Sequence, residues 1–196
     1  LDVLEDGAVE APAMRERVFR TLRQESRRMR SLIEKLIFLA RLERGEPTRR
    51  EIVDVSSVVA RVADAVAAVD LARKLEISTE PDARVLADET DIAEALRNLI
   101  DNALKYAPDS PVAVSTSVLE REVLLVVRDE GPGMSEQDQA HAFDRFYRGR
   151  SNGDVEGSGL GLAIVKRAVM RSEGTIALES AIVPSERMTA RFTIAR

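Results

Sequence analysis

Apolar positions recur along the chain with two periods, and the change of period marks the elements. From about Ala13 to Leu42, Val18, Leu22, Met29, Leu32, Leu36 and Leu39 follow a four–three spacing with one polar break at Glu25. That spacing predicts a long amphipathic helix. Phe19, Ile33, Ile37 and Ala40 widen the stripe beyond a narrow two-stranded seam, toward a helix bundle. The opposite face is rich in Arg and Glu. One helix cannot bury such a stripe alone, so it needs a hairpin partner, a second subunit or both. Ahead of it, Leu1 to Leu4 reads as the tail of something that begins earlier, and Gly7 and Pro12 punctuate a loop. Behind it, Gly45-Glu46-Pro47 reads as a linker.

From Arg50 the elements shorten. Glu51 to Val55 predicts a strand, and Ser56 a cap for a helix through about Val69. Leu75–Thr79 and Arg84–Leu86 read as short strands. A helix follows from near Asp88 to just before Pro108, because a proline disfavours helical geometry in the residue ahead of it. Val112, Val114, Thr116 and Val118 alternate as a half-buried strand, and the apolar run Val123–Val127 predicts a strand buried on both faces. Gly131 to Ser158 is polar and Gly-rich. Leu160 to about Arg171 is helical, and Thr175–Ser180 and Met188–Ile194 close the chain as strands. Helices alternating with hairpin-linked strands predict one sheet with helices on one face.

Composition narrows the chemistry. At 196 residues the chain has room for one domain, or for one domain and an appendage. Its core is aliphatic, since 44% of residues are hydrophobic but only 4% are aromatic. A net charge of −5 provides no electrostatic footprint for nucleic acid. The absence of cysteine excludes disulfides, thiolate metal sites and a cysteine nucleophile. No apolar run approaches the ~20 residues needed to span a bilayer.

Three stretches carry candidate chemistry. On the helix from Asp88, at ~100° per residue, Asn98, Asn102 and Lys105 share one face while Ile92, Leu96, Leu99 and Ala103 lie nearly opposite. Two amide oxygens one turn apart can orient a hydrated divalent ion, a lysine one turn on can meet phosphate, and Tyr106 can stack on a base. A solvated polar face would look the same. The second stretch, Asp129-Glu130-Gly131-Pro132-Gly133-Met134, follows the apolar strand. Its carboxylate can accept a hydrogen bond from an exocyclic amine, and its glycines allow close backbone approach and positive φ; an ordinary Pro-Gly turn would also fit. The third, Gly157-Ser158-Gly159-Leu160-Gly161-Leu162, leads into a helix whose free N–H groups can cradle phosphate. It matches neither the dinucleotide nor the P-loop fingerprint.

Taken together, Asn-x-x-x-Asn-x-x-Lys-Tyr, Asp-x-Gly-x-Gly and Gly-x-Gly-x-Gly resemble the N, G1 and G2 boxes of the sensor histidine kinase ATP-binding domain, of the GHKL or Bergerat type. Phe143-Asp-Arg-Phe-Tyr-Arg148 resembles that family's F box, and residues 28–43 resemble the second helix of its dimerisation domain. The resemblance implies an α+β fold: a two-layer sandwich of a mixed sheet with helices on one face, preceded by a long helix of a dimerisation hairpin. It implies a partial dimerisation domain over 1–46 and a catalytic ATP-binding domain over 47–196.

The implied cofactors are ATP and Mg²⁺. Asn102, with Asn98 beside it, would hold the metal. Lys105 and Arg148 would contact phosphate, Tyr106 would lie against the adenine and Asp129 would bind its amino group. Gly131, Gly133, Met134, Gly157, Ser158, Gly159, Leu160 and Gly161 would line the nucleotide, with 131–158 as a lid mobile without it. The implied partners are a second copy, through the hairpin, and a response-regulator receiver domain, with no nucleic acid and no membrane contact of this fragment. The resemblance further implies a cytoplasmic portion of a bacterial protein whose parent is anchored in the inner membrane.

Three features bear on activity. The family's phosphoacceptor is a histidine followed by an acidic residue, whereas the sole histidine here, His141, stands in Ala140-His-Ala-Phe143 and reads as a polar lid residue. The expectation is therefore a chain that begins after the acceptor, binds ATP and does not autophosphorylate. Asn98 also stands where gyrase-, Hsp90- and MutL-type ATPases carry a water-activating glutamate, so efficient hydrolysis is not expected. The run Arg187-Met-Thr-Ala-Arg-Phe192 departs from the family's final strands, which puts a nucleotide role for Thr189 in doubt. An anti-sigma-type serine kinase and a nucleotide-sensing or dimerisation module of the same fold are the alternatives.

Overall fold

The computed structural model describes residues 12–44, 49–69, 75–149, 157–180 and 188–195. The chain forms two compact units, residues 1–37 and 38–196. The segment around Leu1 to Gly7 and the linker read at Gly45–Pro47 lie outside the described residues.

The long helix α1 runs from Pro12 to Glu43, as its apolar spacing requires. In the first unit Phe19, Leu22, Met29, Ile33, Leu36 and Ile37 are exposed, so much of the stripe is uncovered among the described residues. In the second unit its last turns are packed, with Leu39 and Leu42 buried.

The second unit continues with β1 (Glu51–Asp54), α2 (Val55–Val69), β2 (Leu75–Thr79), β3 (Arg84–Ala87) and α3 (Glu89–Tyr106). After these come β4 (Val112–Val118), β5 (Glu122–Asp129), α4 (Glu136–His141), α5 (Gly161–Arg171), β6 (Thr175–Glu179) and β7 (Met188–Ala195). The expected single sheet is divided. β1 and β3 pair antiparallel as a separate ribbon, and the other strands form a mixed sheet in the order β2-β4-β5-β7-β6, with only β2–β4 parallel. Helices α2, α3 and α5 pack against the five-stranded sheet.

Strand β5 is not buried on both faces. Val123, Leu125, Val127 and Asp129 are buried, while Leu124, Val126 and Arg128 between them are only half-covered. Helices cover one face of the sheet, so the apolar run reflects one packed face and a partly covered reverse. Pairing of Val127 with Val114 and Ala190, and of Val123 with Ile194, holds the buried set in register. It also puts Asp129 on the packed face, at the strand's end.

Local chemistry sets the helix ends. Helix α2 begins one residue before the expected cap, so Asp54 rather than Ser56 occupies that position. Its carboxylate accepts from the Ser56 amide at 3.0 Å and from the Ser57 hydroxyl at 2.8 Å. Asp88 caps α3 through the Thr90 amide at 2.9 Å, and Glu89 and Asp91 place acid in its first turn. The helix stops at Tyr106, with Ala107 out of helical geometry at φ −128°, ψ 63° ahead of Pro108. Ile92, Leu96, Leu99 and Ala103 are buried as their spacing requires. At about 1.5–3 kcal/mol for each large side chain buried, this face anchors α3 to the sheet.

Helices α3 and α5 are antiparallel neighbours. Gly161, which opens α5, lies against Asn98 and Asn102, whereas Arg171, which closes it, pairs with Asp91 in the first turn of α3. Short α4 lies within the polar, Gly-rich region 131–158, where the sequence predicts no element. Ser135 caps it, accepting from the Asp138 amide at 3.1 Å and donating to the Asp138 carboxylate at 2.8 Å.

Candidate functional site

The N-terminus of α5, the polar face of α3 and the end of β5 converge. Asn98 belongs to the polar face that the sequence assigns to ligand or solvent, and it is only 2% exposed because α5 lies across it. Its Nδ2 donates to the Glu94 carbonyl at 2.8 Å, which orients the amide. Its Oδ1 is buried and accepts from no donor among the described residues. A Cβ built on Gly161 would lie 3.3 Å from Asn98 Oδ1 and 3.5 Å from the Asn102 amide. Both asparagines thus reach the first residue of α5, at a helix end that no side chain caps. The open amides and the positive end of the helix dipole favour an anion there.

One turn further along α3, the Lys105 ammonium lies against Gly157, 2.6 Å from where a Cβ would stand. It also sits 5.6 Å from the Tyr106 ring centroid. Burial pushes the Tyr106 phenol above its ordinary value, opposed by the charge of the Arg148 guanidinium, so Arg148 acts on the same locality. At the end of β5, Asp129 is buried. Burial raises its carboxyl, and the Gly131 amide, donating to Oδ1 at 2.8 Å, partly offsets this. A side chain at Gly131 would meet that oxygen at 2.8 Å and the Tyr106 carbonyl at 3.3 Å, so this close approach requires glycine.

The remaining expected residues surround this centre. Gly133 has φ +71°, and the Met134 amide donates to Ser180 Oγ at 2.6 Å. Gly159 has φ +67° and accepts from the Phe146 amide at 2.9 Å, which straps the Phe143–Arg148 run to the glycine loop. Ser158 Oγ accepts from the Leu160 amide at 3.3 Å. The Leu160 side chain is wholly buried, so only its backbone is available to a ligand.

Sequence reasoning missed the groups that shape residues 131–149. Asp138 is buried and accepts from Tyr147 Oη and Ser135 Oγ, both at 2.8 Å, with Gly149 packed against it. His141 joins this cluster, its ring 5.4 Å from that of Tyr147 and its Nδ1 2.8 Å from an Asp144 oxygen. The signal for α4 was present as Ser135-x-x-Asp138, a capping-box-like pattern. Ser180 had none, and Tyr147 stood out only as a member of the Phe143–Arg148 run. Expectations for residues 150–156 lie outside the described residues.

The donor set can be tested against a divalent ion. No group of three or more His, Cys, Asp or Glu gathers as metal ligands among the described residues. Two hard amide oxygens meet at Gly161 instead, one of them buried and unsatisfied. Such an oxygen is costly unless a ligand supplies a positive partner. The set fits a small cation that keeps most of its waters and shares phosphate oxygens.

Residues 87–196 match the family of histidine kinase-, DNA gyrase B- and HSP90-like ATPases. The chain belongs to that family. The matched span of this ATPase-family chain holds β5, α3, α5 and all the site residues named above. The sensor-like histidine kinase SenX3 of Mycobacterium tuberculosis is 36% identical over 162 residues, covering 78% of this chain and 38% of SenX3. Among solved structures, the mycobacterial sensor histidine kinase MprB superposes with a TM-score of 0.68 at 30% identity, covering 74% of this chain and 97% of that one. The Acinetobacter baumannii histidine kinase AdeS superposes at 0.78 and 25% identity, covering 99% and 90%. These likenesses bear out the two-layer α/β architecture with helices against a mixed sheet. The chain spans well under half the length of SenX3.

Proposed function

We propose that this chain is the ATP-binding kinase portion of a two-component sensor histidine kinase, with a partial dimerisation domain over 1–46 and the catalytic domain over 47–196. In this reading the γ-phosphate passes to a histidine of the dimerisation domain and then to a response-regulator aspartate. The observation that carries it is the meeting of Asn98 and Asn102 with the uncapped start of α5, beside Lys105 and one strand end from buried Asp129.

Each group has a physical role. Asp129 accepts from the adenine amino group, and Tyr106 covers the ring. Lys105, Arg148 and the amides of 157–161 hold the phosphates. Asn102 and Asn98 would hold Mg²⁺, which when bound neutralises the phosphate oxygens. The protein aligns the phosphoryl group and stabilises its charge rather than forming a bond to it. No imidazole among the described residues stands at this centre, since His141 is engaged with Asp144 in the α4 cluster. The nucleophile therefore comes from outside, and with an amide at Asn98 where a general base would stand, hydrolysis is slow.

The exposed stripe of α1 supports assembly as a homodimer through the hairpin, with a receiver domain as the downstream partner. No described helix is long and apolar enough to cross a membrane. The reading places the chain on the cytoplasmic side, with a parent anchored in the inner membrane.

The test is labelled ATP supplied with a separate dimerisation hairpin that carries its acceptor histidine. The expected result is label on the hairpin alone, lost in Asn102→Ala. Strong labelling at His141 contradicts the reading.

A further inference from the structure

One buried ion pair has no part in that site. Asp91, in the first turn of α3, is 3% exposed. Arg171, in the last turn of α5, brings Nε to 3.3 Å from Asp91 Oδ2 with its own side chain 16% exposed. Oδ2 is buried and makes no hydrogen bond among the described residues, so the contact is electrostatic rather than a fitted fork. Arg41, exposed near the end of α1, adds favourable charge, and Asp88, the cap of α3, opposes. The start of α3 and the end of α5 therefore share one buried ion pair, with the exposed Arg41 adding charge from the end of α1.

Its placement gives it leverage. In the antiparallel α3–α5 pair Asp91 pairs with Arg171 at one end, and the Asn98 and Asn102 side chains lie beside Gly161 at the other. The faces between are aliphatic, with Ile92, Leu96 and Leu99 on α3 and Ile164, Val165 and Ala168 on α5 all buried. Apolar faces resist separation, but being non-directional they fix the axial place less sharply than a charge pair does. A buried charge pair is not tolerant of axial sliding, because a small slide leaves each charge desolvated and poorly compensated. Helix α5 is rigid over its 11 residues, so a slide at Arg171 is a slide at Gly161.

We propose that Asp91 and Arg171 are a positioning pair for the nucleotide site, setting the axial place of α5 and with it the fit of its first-turn amides to the phosphates. The pair acts on phosphate and not on the base, because Asp129 stands on β5 and does not move with α5. This inference rests on the nucleotide reading above.

The experiment compares Mg-ATP and adenosine binding by calorimetry in the 196-residue chain, well below its melting temperature. The variants are Asp91→Asn, Arg171→Met and the double substitution; methionine keeps most of the arginine stem's packing. Each single change is expected to weaken Mg-ATP about five- to tenfold and to leave adenosine unchanged, with the double variant no worse than either single one. A pair that only stabilises the fold would lower the melting temperature without altering the ratio of the two affinities. An unchanged ratio in either folded single variant overturns the proposal. If unmodified protein binds adenosine and Mg-ATP equally, or neither, the nucleotide reading itself fails and the inference falls with it.

Discussion

Asn98 Oδ1 and the backbone of Gly161 face each other across the α3–α5 seam, with 3.3 Å between that oxygen and the point a Cβ would occupy. The oxygen is buried and accepts no hydrogen bond among the described residues. A helix start and a bare amide oxygen are thus held together with no side chain between them. Gly161→Ala would put a methyl there. Alanine favours the helix, so melting should shift by only a few degrees while Mg-ATP affinity falls about tenfold. Paired melting and binding curves check this; equal affinities would place the phosphates elsewhere.

Asp129 bears on the base. Asp129→Asn exchanges a buried acceptor oxygen for an amide that can face the exocyclic amine with its own donors. The lost charge-assisted bond and the mispaired group should cost about 2–3 kcal/mol of binding. Adenosine should lose as much as ATP, and calorimetry with both ligands reads it. Full adenosine affinity in the folded variant would remove Asp129 from the site.

Gly159 joins two conformational demands. Its φ is +67°, and a Cβ would come within 2.7 Å of Phe146 Cα, itself at φ +62°. Gly159→Ala should cost about 1–3 kcal/mol from strain alone and break the strap between the glycine loop and residues 143–148. Hydrogen exchange should quicken at the Phe146 amide, which donates to Gly159. An unchanged rate there would contradict the strap.

Asp91 makes stability depend on pH. Burial, the largest cause, raises its carboxyl to about 6, with Arg171 opposing. A raised folded-state value means that the folded chain binds this proton more tightly than the unfolded chain. The stability Asp91 contributes is therefore fully present below its ordinary value of 3.8 and lost as pH rises through about 6. The difference in unfolding free energy between the parent chain and Asp91→Asn should grow by on the order of 2–3 kcal/mol from about pH 7.5 to pH 4. Urea titrations across that range check the trend; a flat difference would mean that Asp91 titrates normally.

The helices and strands were legible where one period persisted, as in α1, α3 and β4. The three polar stretches were legible because each combines residue types with a narrow joint use. What escaped depends on partners distant in sequence. Asn98 reads as a surface residue on its own helix and is buried only because α5 crosses it. Ile52 and Leu86 read as members of a single sheet, yet they pair in a separate ribbon. Helix α4 is too short for periodicity, so its capping serine was the only available sign. Asp91 and Arg171 lie on different helices, and nothing local to either reveals a buried pair.

The most direct test of the account is a calorimetric titration of Mg-ATP into the folded chain, repeated with Asn102→Ala. The account predicts one saturable site per chain, with the metal-dependent part of the affinity lost in the variant while its melting curve is retained. A flat titration of the folded parent chain, or binding that is identical in Asn102→Ala, would contradict it.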